Sequence, residues 1–131
     1  MNTWVLLTGT LGTFLAGNWL LRRRERQIAK GRRGYGFEEF AAYFSGESIP
    51  HENLRHVYNY FQHWQSAKNF PVHPNDALYN VYGIVDDDVD DAVMELAARW
   101  RAKLPATFDG LRPVRTVADI VHLLHQLPRE K

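Results

Sequence analysis

The chain has 131 residues and no cysteine, which excludes a disulfide framework, a thiolate metal site and a cysteine nucleophile. Its formal net charge of +1 is divided unevenly: residues 22–33 carry seven basic residues against one acidic, whereas residues 34–131 carry nine against fourteen. This division argues against a nucleic-acid-binding domain, which would hold its positive charge on its folded face.

The first predicted element is a transmembrane helix over residues 1–21. No charged residue occurs from Thr3 to Leu21, and a helix of that length extends about 28 Å, close to the ~30 Å of a bilayer's hydrocarbon layer. The arginines that follow predict a cytoplasmic C-terminal part, and thus a single-pass protein of a bacterial inner membrane. A cleaved signal peptide fits less well, because the basic residues come after the apolar run. A buried helix of a globular protein is the other alternative.

Small residues share one face of this predicted span: Gly9, Gly12, Thr13, Ala16 and Gly17. Small residues at four-residue spacing let two helices approach closely in lipid. The pattern predicts dimerisation or docking against another membrane helix. The alternative, that these residues are merely tolerated in a single span, stays open.

Residues 22–36 are predicted to form a basic juxtamembrane linker, because glycine and arginine are frequent and no apolar period is present. Basic side chains near an anionic membrane surface contribute about 1 kcal/mol each. We therefore expect four arginines to contact lipid headgroups: Arg22, Arg23, Arg24 and Arg26.

Residues 37–131 are predicted to form a small four-helix domain, so that the fold class is all-α. Apolar residues recur at three- and four-residue spacing, and no alternating strand pattern extends beyond a few residues. The first helix covers residues 37–44. The second begins at Ser48 or Pro50 and ends near Ala67, with Trp64 on its buried face.

Two further helices follow an irregular segment whose apolar anchors lie at residues 78–84. The third helix begins at residues 87–88 and is stopped by Pro105. The fourth has Thr116 as its N-cap and Asp119 at the third helical position, which is an acidic variant of the capping box.

An acidic cluster stands at the start of the third helix: Asp86, Asp87, Asp88, Asp90, Asp91 and Glu95. A calcium loop does not fit, because Asp91 stands where its turn needs glycine and Ala97 where it needs a bidentate glutamate. One or two carboxylates would suffice to complement the helix dipole. The cluster therefore indicates a docking surface for a basic patch on a partner protein. Weak, nonspecific binding of divalent cations is the alternative.

The acidic turn leads into a helix that contains Met94-Glu95-Leu96 and Trp100. Leu104-Pro105 follows, and then the sequence Thr-Val-Ala-Asp-Ile-Val at residues 116–121. With these motifs the segment from residue 78 to 127 resembles an acyl carrier protein. It is also similar to a group of bacterial proteins of unknown function that carry the same pattern, including Val-Tyr-Gly-Ile at residues 81–84. The resemblance implies that the acidic helix is a recognition helix for basic partner surfaces.

The chain departs from the carrier pattern at the attachment site. A working carrier has Asp-Ser-Leu at the start of this helix, and the serine hydroxyl accepts phosphopantetheine. Counting back from Pro105 places Asp86 near that serine, with Asp87 next to it. An aspartate has no hydroxyl to esterify, so no prosthetic group and no other cofactor is expected.

The histidines give no clear sign of catalysis or metal binding. His122 and His125 lie one turn apart, but a zinc site needs further ligands, and no His-Glu-x-x-His pattern is present. No glycine-rich phosphate loop follows a strand and no nucleophile elbow occurs. The sequence therefore predicts no metal site and no enzymatic activity.

These observations predict a membrane-anchored, non-enzymatic protein-interaction module. Its expected partners are the lipid bilayer, a basic protein and a second membrane helix, but not nucleic acid. The alternative is an accessory, carrier-like protein of a lipid or polyketide assembly system, which binds a synthase or transferase without carrying an acyl chain.

Overall fold

The structure is a computed structural model that describes residues 3–107 and 113–131, with side chains from residue 12 onward. These residues form six helices and no strand: α1 (Thr3–Gly31), α2 (Phe37–Ala42), α3 (His51–Trp64), α4 (Leu78–Tyr82), α5 (Asp86–Trp100) and α6 (Val117–Gln126). The helical content agrees with the all-α prediction. The predicted four-helix domain has instead three long helices, α3, α5 and α6, and two short ones, α2 and α4.

The prediction of a transmembrane helix over residues 1–21 is wrong. Within the part of the chain that the structure describes, no helix combines the length and the apolar character that crossing a bilayer requires. Polar and small residues such as Thr13, Gly17 and Asn18 dilute the apolar side chains of α1, and the second part of the same helix is strongly charged. The single-pass location in a bacterial inner membrane, with a cytoplasmic C-terminal domain, depended on this span and is corrected with it.

The basic segment, predicted as a linker over residues 22–36, is helical as far as Gly31. Its arginines, glutamine, alanine and lysine are good helix formers, and the helix ends where the glycines begin. This part of α1 lies against the domain through Ile28 and Ala29, which pack against the core. Glu25 accepts hydrogen bonds from Ser66 Oγ at 2.9 Å and from the Ala67 N–H at 3.1 Å.

The hydrophobic core lies between α3, α5 and α6, with α2 covering one side of it. Each long helix buries the apolar stripe that its spacing predicts. The fully buried larger side chains include Phe40, Phe44, Leu54, Val57, Phe61, Leu96, Ile120, Val121 and Leu124. Trp64 is an exception, because it is 40% exposed at the end of α3.

Local sequence determines where the last two helices begin and end. Helix α5 begins at Asp86 with Val85 as its N-cap, and it ends at Trp100 because Arg101 adopts a left-handed conformation with φ 55°. It therefore stops before Leu104-Pro105. The predicted capping box of α6 is confirmed: Asp119 N–H donates to Thr116 Oγ1 at 3.2 Å, and Thr116 N–H donates to the Asp119 carboxylate at 3.0 Å.

Candidate docking site

The structure places the predicted docking residues along the first ten residues of α5, and we call them the α5 acidic face: Asp86, Asp87, Asp88, Asp90, Asp91 and Glu95. All are exposed except Asp88, which is partly buried. None of the five aspartates forms an ion pair with a cation of the described residues. Glu95 pairs with Arg99 at 3.7 Å, with both side chains about half exposed; such a surface pair contributes little to stability.

The helix dipole accounts for only part of this face. Val85 provides no side-chain cap, so the carboxylates of residues 86–88 are the nearby anionic groups that can interact with the free N–H groups of the first turn. That effect fades beyond the first turn. Asp90, Asp91 and Glu95 lie farther along the helix, and the dipole gives no reason for their charge.

Three carboxylates of the face lie on the side of α5 that adjoins α3. Asp88, Asp91 and Glu95 are spaced three and four residues apart and so share one side of the helix. The pKa of Tyr60 on α3 is raised, first by burial and then by the negative charges of Glu95, Asp91 and Asp88. The fold therefore concentrates negative potential beside an aromatic ring of α3.

A surface groove of about 580 Å³ lies between α3 and α5 at this point. We call it the α3–α5 groove, and it is lined by His56, Asn59, Tyr60, His63, Trp64, Glu95 and Arg99. The ring centroids of Tyr60 and Trp64 lie 6.2 Å apart, and the indole N–H of Trp64 donates to Tyr82 O at 2.9 Å, which fixes the indole. Aromatic rings beside carboxylates favour a cationic side chain through cation–π and ionic attraction together.

A second anionic site, which the sequence analysis missed, lies in the interior. Asp76 is 4% exposed, and its Oδ2 accepts hydrogen bonds from Arg32 Nη1 at 2.9 Å, Tyr82 OH at 2.8 Å and the His73 N–H at 3.0 Å. Arg32 Nη2 donates to Asp76 Oδ1, and Arg32 Nη1 donates also to Pro71 O at 2.8 Å. We call these five residues the Asp76 network.

One signal could have revealed Asp76, since it is the only charged residue between Lys68 and Asp86. An isolated charge within an apolar segment has to be paired when that segment is buried. The network raises the pKa of Tyr82 well above its ordinary value, through burial first and then through the charge of Asp76 and its hydrogen bond. With its oxygens occupied by donors of the chain, Asp76 holds the fold together.

The other predicted site residues lie on α1. Arg22, Arg23, Arg24 and Arg26 are exposed, and the guanidinium of Arg23 lies 5.4 Å from the ring centroid of Trp19. Their contacts with headgroups stay a prediction. The small residues Gly12, Thr13, Ala16 and Gly17 are exposed, and Gly9 lies outside the described side chains. Helix packing through these residues stays a prediction as well.

The histidines of α6 do not act as a pair. His122 Nε2 lies 2.8 Å from Glu47 Oε1, so that it ties the turn after α2 to α6, whereas His125 is exposed. Across residues 3–107 and 113–131, no group of three or more histidine, aspartate or glutamate side chains is placed to hold a metal ion.

No family model, curated protein or solved structure matches this chain. The resemblance of residues 78–127 to an acyl carrier protein therefore stays a prediction.

Proposed function

We propose that this protein is a non-enzymatic protein-interaction module whose α5 acidic face binds a basic surface of a partner protein. One observation carries the proposal. Asp90 and Asp91 are exposed carboxylates beyond the first turn of α5, without a cation of the described residues as partner. Each of them lies four residues after another aspartate of the face, and like charges at that spacing repel each other in the unbound protein. A basic partner would relieve this repulsion.

The adjoining groove supports the same function. A protruding arginine of the partner fits the α3–α5 groove, because its flat guanidinium can stack on Tyr60 or Trp64 while it donates to Asp91 or Glu95. The pair of Glu95 and Arg99 at 3.7 Å is weak enough to be displaced. Charge would then steer association, and the groove would supply short-range contacts.

The carrier-like alternative has no separate support. A role in a lipid or polyketide assembly system depends on the resemblance alone, and α5 begins with an aspartate where a carrier has its serine. What the resemblance adds is consistent with the proposal, because the acidic helix of a carrier is the surface that its partners recognise.

Nuclear magnetic resonance mapping with a peptide of eight arginines tests this proposal on the full chain. We expect backbone shifts at residues 86–95 and a shift of the Trp64 indole N–H signal, because the peptide would bind the α5 acidic face and enter the groove. The exposed acidic residues Glu38, Glu47 and Glu130 lie elsewhere and serve as an internal control. Shifts of equal size at those three residues would mean attraction by net charge alone, and they would contradict the proposal.

A further inference from the structure

A cationic surface runs along α1, and it has no role in the attachment of α1 to the domain. Arg23, Arg26 and Lys30 are spaced three and four residues apart, are exposed, and share one side of the helix with Trp19. Arg23 lies over the Trp19 ring at 5.4 Å. We call Trp19, Arg23, Arg26 and Lys30 the α1 cationic face.

This face points away from its own domain. α1 is attached through Glu25, which accepts hydrogen bonds from the loop after α3, and through Ile28 and Ala29, which pack against the core. At 3.6 residues per turn, the centre of the attached side and the centre of the cationic face are separated by roughly 140°. The α5 acidic face of the same chain therefore cannot cover it.

We infer that the α1 cationic face binds the α5 acidic face of a second copy of this chain. The inference rests on the proposed function, because it names the basic partner of that acidic face. Three exposed cations in line on a helix complement the line of Asp88, Asp91 and Glu95 on α5. Trp19 and the arginines bring an aromatic and a guanidinium group to the α3–α5 groove, whose own rings are Tyr60 and Trp64.

The charge distribution favours a second copy over an anionic lipid surface. Residues 34–131 carry nine basic and fourteen acidic residues, so that the domain would be repelled by anionic headgroups but attracted by the α1 face of another copy. The two surfaces are different patches of one chain. Their contact is therefore heterologous, and each added copy leaves one patch of each kind free for the next.

Sedimentation velocity of the full chain tests the inference, with two variants that neutralise one face each. We expect the wild-type chain to form dimers and larger species at 50 mM NaCl and to dissociate at 500 mM, because salt screens exposed charges. Variant R23Q/R26Q/K30Q and variant D88N/D91N/E95Q should each be monomeric. Their equimolar mixture should form a one-to-one dimer and nothing larger, since only one pair of intact faces remains.

Variant K68Q/K103Q/K131Q removes three exposed positive charges elsewhere, and it should associate as the wild type does. A monomeric wild-type chain or a monomeric mixture would overturn the inference. Association that persists in both face variants would also overturn it and would assign the contact to the exposed apolar residues of α1, such as Phe14 and Leu20.

Two further readouts separate this inference from the proposed function. If the wild-type chain binds phosphatidylglycerol vesicles through the α1 face and does not self-associate, the inference is overturned in favour of lipid. If self-association is absent but the arginine peptide still shifts residues 86–95, the inference fails and the proposed function stands. If neither occurs, both fail.

Discussion

The Asp76 network and the α5 acidic face are two anionic sites of one small domain, and they use charge in opposite ways. Asp76 is 4% exposed and accepts hydrogen bonds from a guanidinium, a phenol and a backbone N–H. The aspartates of the α5 acidic face are exposed or partly buried, and none has a cation of the described residues within ion-pair distance.

The difference in burial determines whether a carboxylate can stabilise the fold or bind another molecule. A buried carboxylate is costly to desolvate and persists only when its partners satisfy it, so that removing one partner leaves an uncompensated charge. An exposed carboxylate stays hydrated and remains available to another molecule. The Asp76 network therefore stabilises the fold, whereas the α5 acidic face stays available for the binding that we propose.

Replacement of Asp76 should have the largest effect on stability. Asp76→Ala leaves the Arg32 guanidinium, whose side chain is 22% exposed, without its carboxylate, and we expect the free energy of unfolding to fall by about 3 kcal/mol. Asp90→Ala on the exposed site should change it by less than about 0.5 kcal/mol. Urea denaturation of both variants measures the contrast. Equal losses would break the distinction between the two sites.

Tyr82→Phe should have the next largest effect on the free energy of unfolding. The phenol donates to the Asp76 carboxylate at 2.8 Å, and loss of a hydrogen bond to a charged group costs about 1.5 kcal/mol at pH 7. The variant keeps the ring that packs against Phe61 and Phe70. Denaturation at pH 7 gives this value, and an unchanged stability would remove Tyr82 from the network.

The same variant should also change how the free energy of unfolding depends on pH. Because burial and Asp76 raise the folded-state pKa of Tyr82 above its ordinary value of 10, the stabilisation is complete below pH 10 and is lost as the unfolded chain ionises above it. Each such tyrosine lowers the free energy of unfolding by about 1.4 kcal/mol per pH unit in that range. Tyr82→Phe should remove one tyrosine's share of this slope. An identical slope in both proteins between pH 10 and 11 would contradict the account.

A smaller effect is expected at Glu25, the acidic residue within the basic part of α1. Glu25→Ala removes its hydrogen bonds with Ser66 and Ala67, and we expect a loss of about 1 kcal/mol. Hydrogen exchange at the amides of Ser66 and Ala67 should accelerate. Gln27→Ala, an exposed neighbour on the same helix, is the control. Unchanged exchange in the Glu25 variant would mean that the hydrogen bonds of Glu25 do not hold α1 against the domain.

The parts of the fold that depend on neighbouring residues were accessible from the sequence. The capping box of Thr116 and Asp119 spans three positions, and the apolar stripes of α3, α5 and α6 repeat within each helix. Contacts between distant residues were not accessible. Arg32 and Asp76 are separated by 44 positions, and nothing in the local pattern of the basic segment distinguishes Arg32 from its exposed neighbours.

Only the acidic half of the candidate site, on α5, could be predicted from the sequence. The carboxylates of α5 stand together in the sequence, whereas Tyr60 and Trp64 of the α3–α5 groove come from another helix, and Trp64 was predicted on the buried face of that helix. The end of α5 was misplaced because Arg101, a residue without a turn signal, takes the left-handed conformation there. The prediction of a membrane span was wrong because the uncharged run has the length of a span, whereas its threonines, glycines and asparagine lower its hydropathy.

Isothermal titration calorimetry with the peptide of eight arginines tests the central claim most directly, on two variants matched in net charge. D87N/D88N/D91N removes three carboxylates of the α5 acidic face, and E38Q/E47Q/E130Q removes three exposed ones elsewhere. We predict that the first substitution set raises the dissociation constant of the peptide about tenfold and the second less than about twofold. Each surface ion pair contributes about 0.5 kcal/mol, and three such pairs are lost only in the first variant. Equal weakening in the two variants would contradict the assignment of α5 as a docking helix.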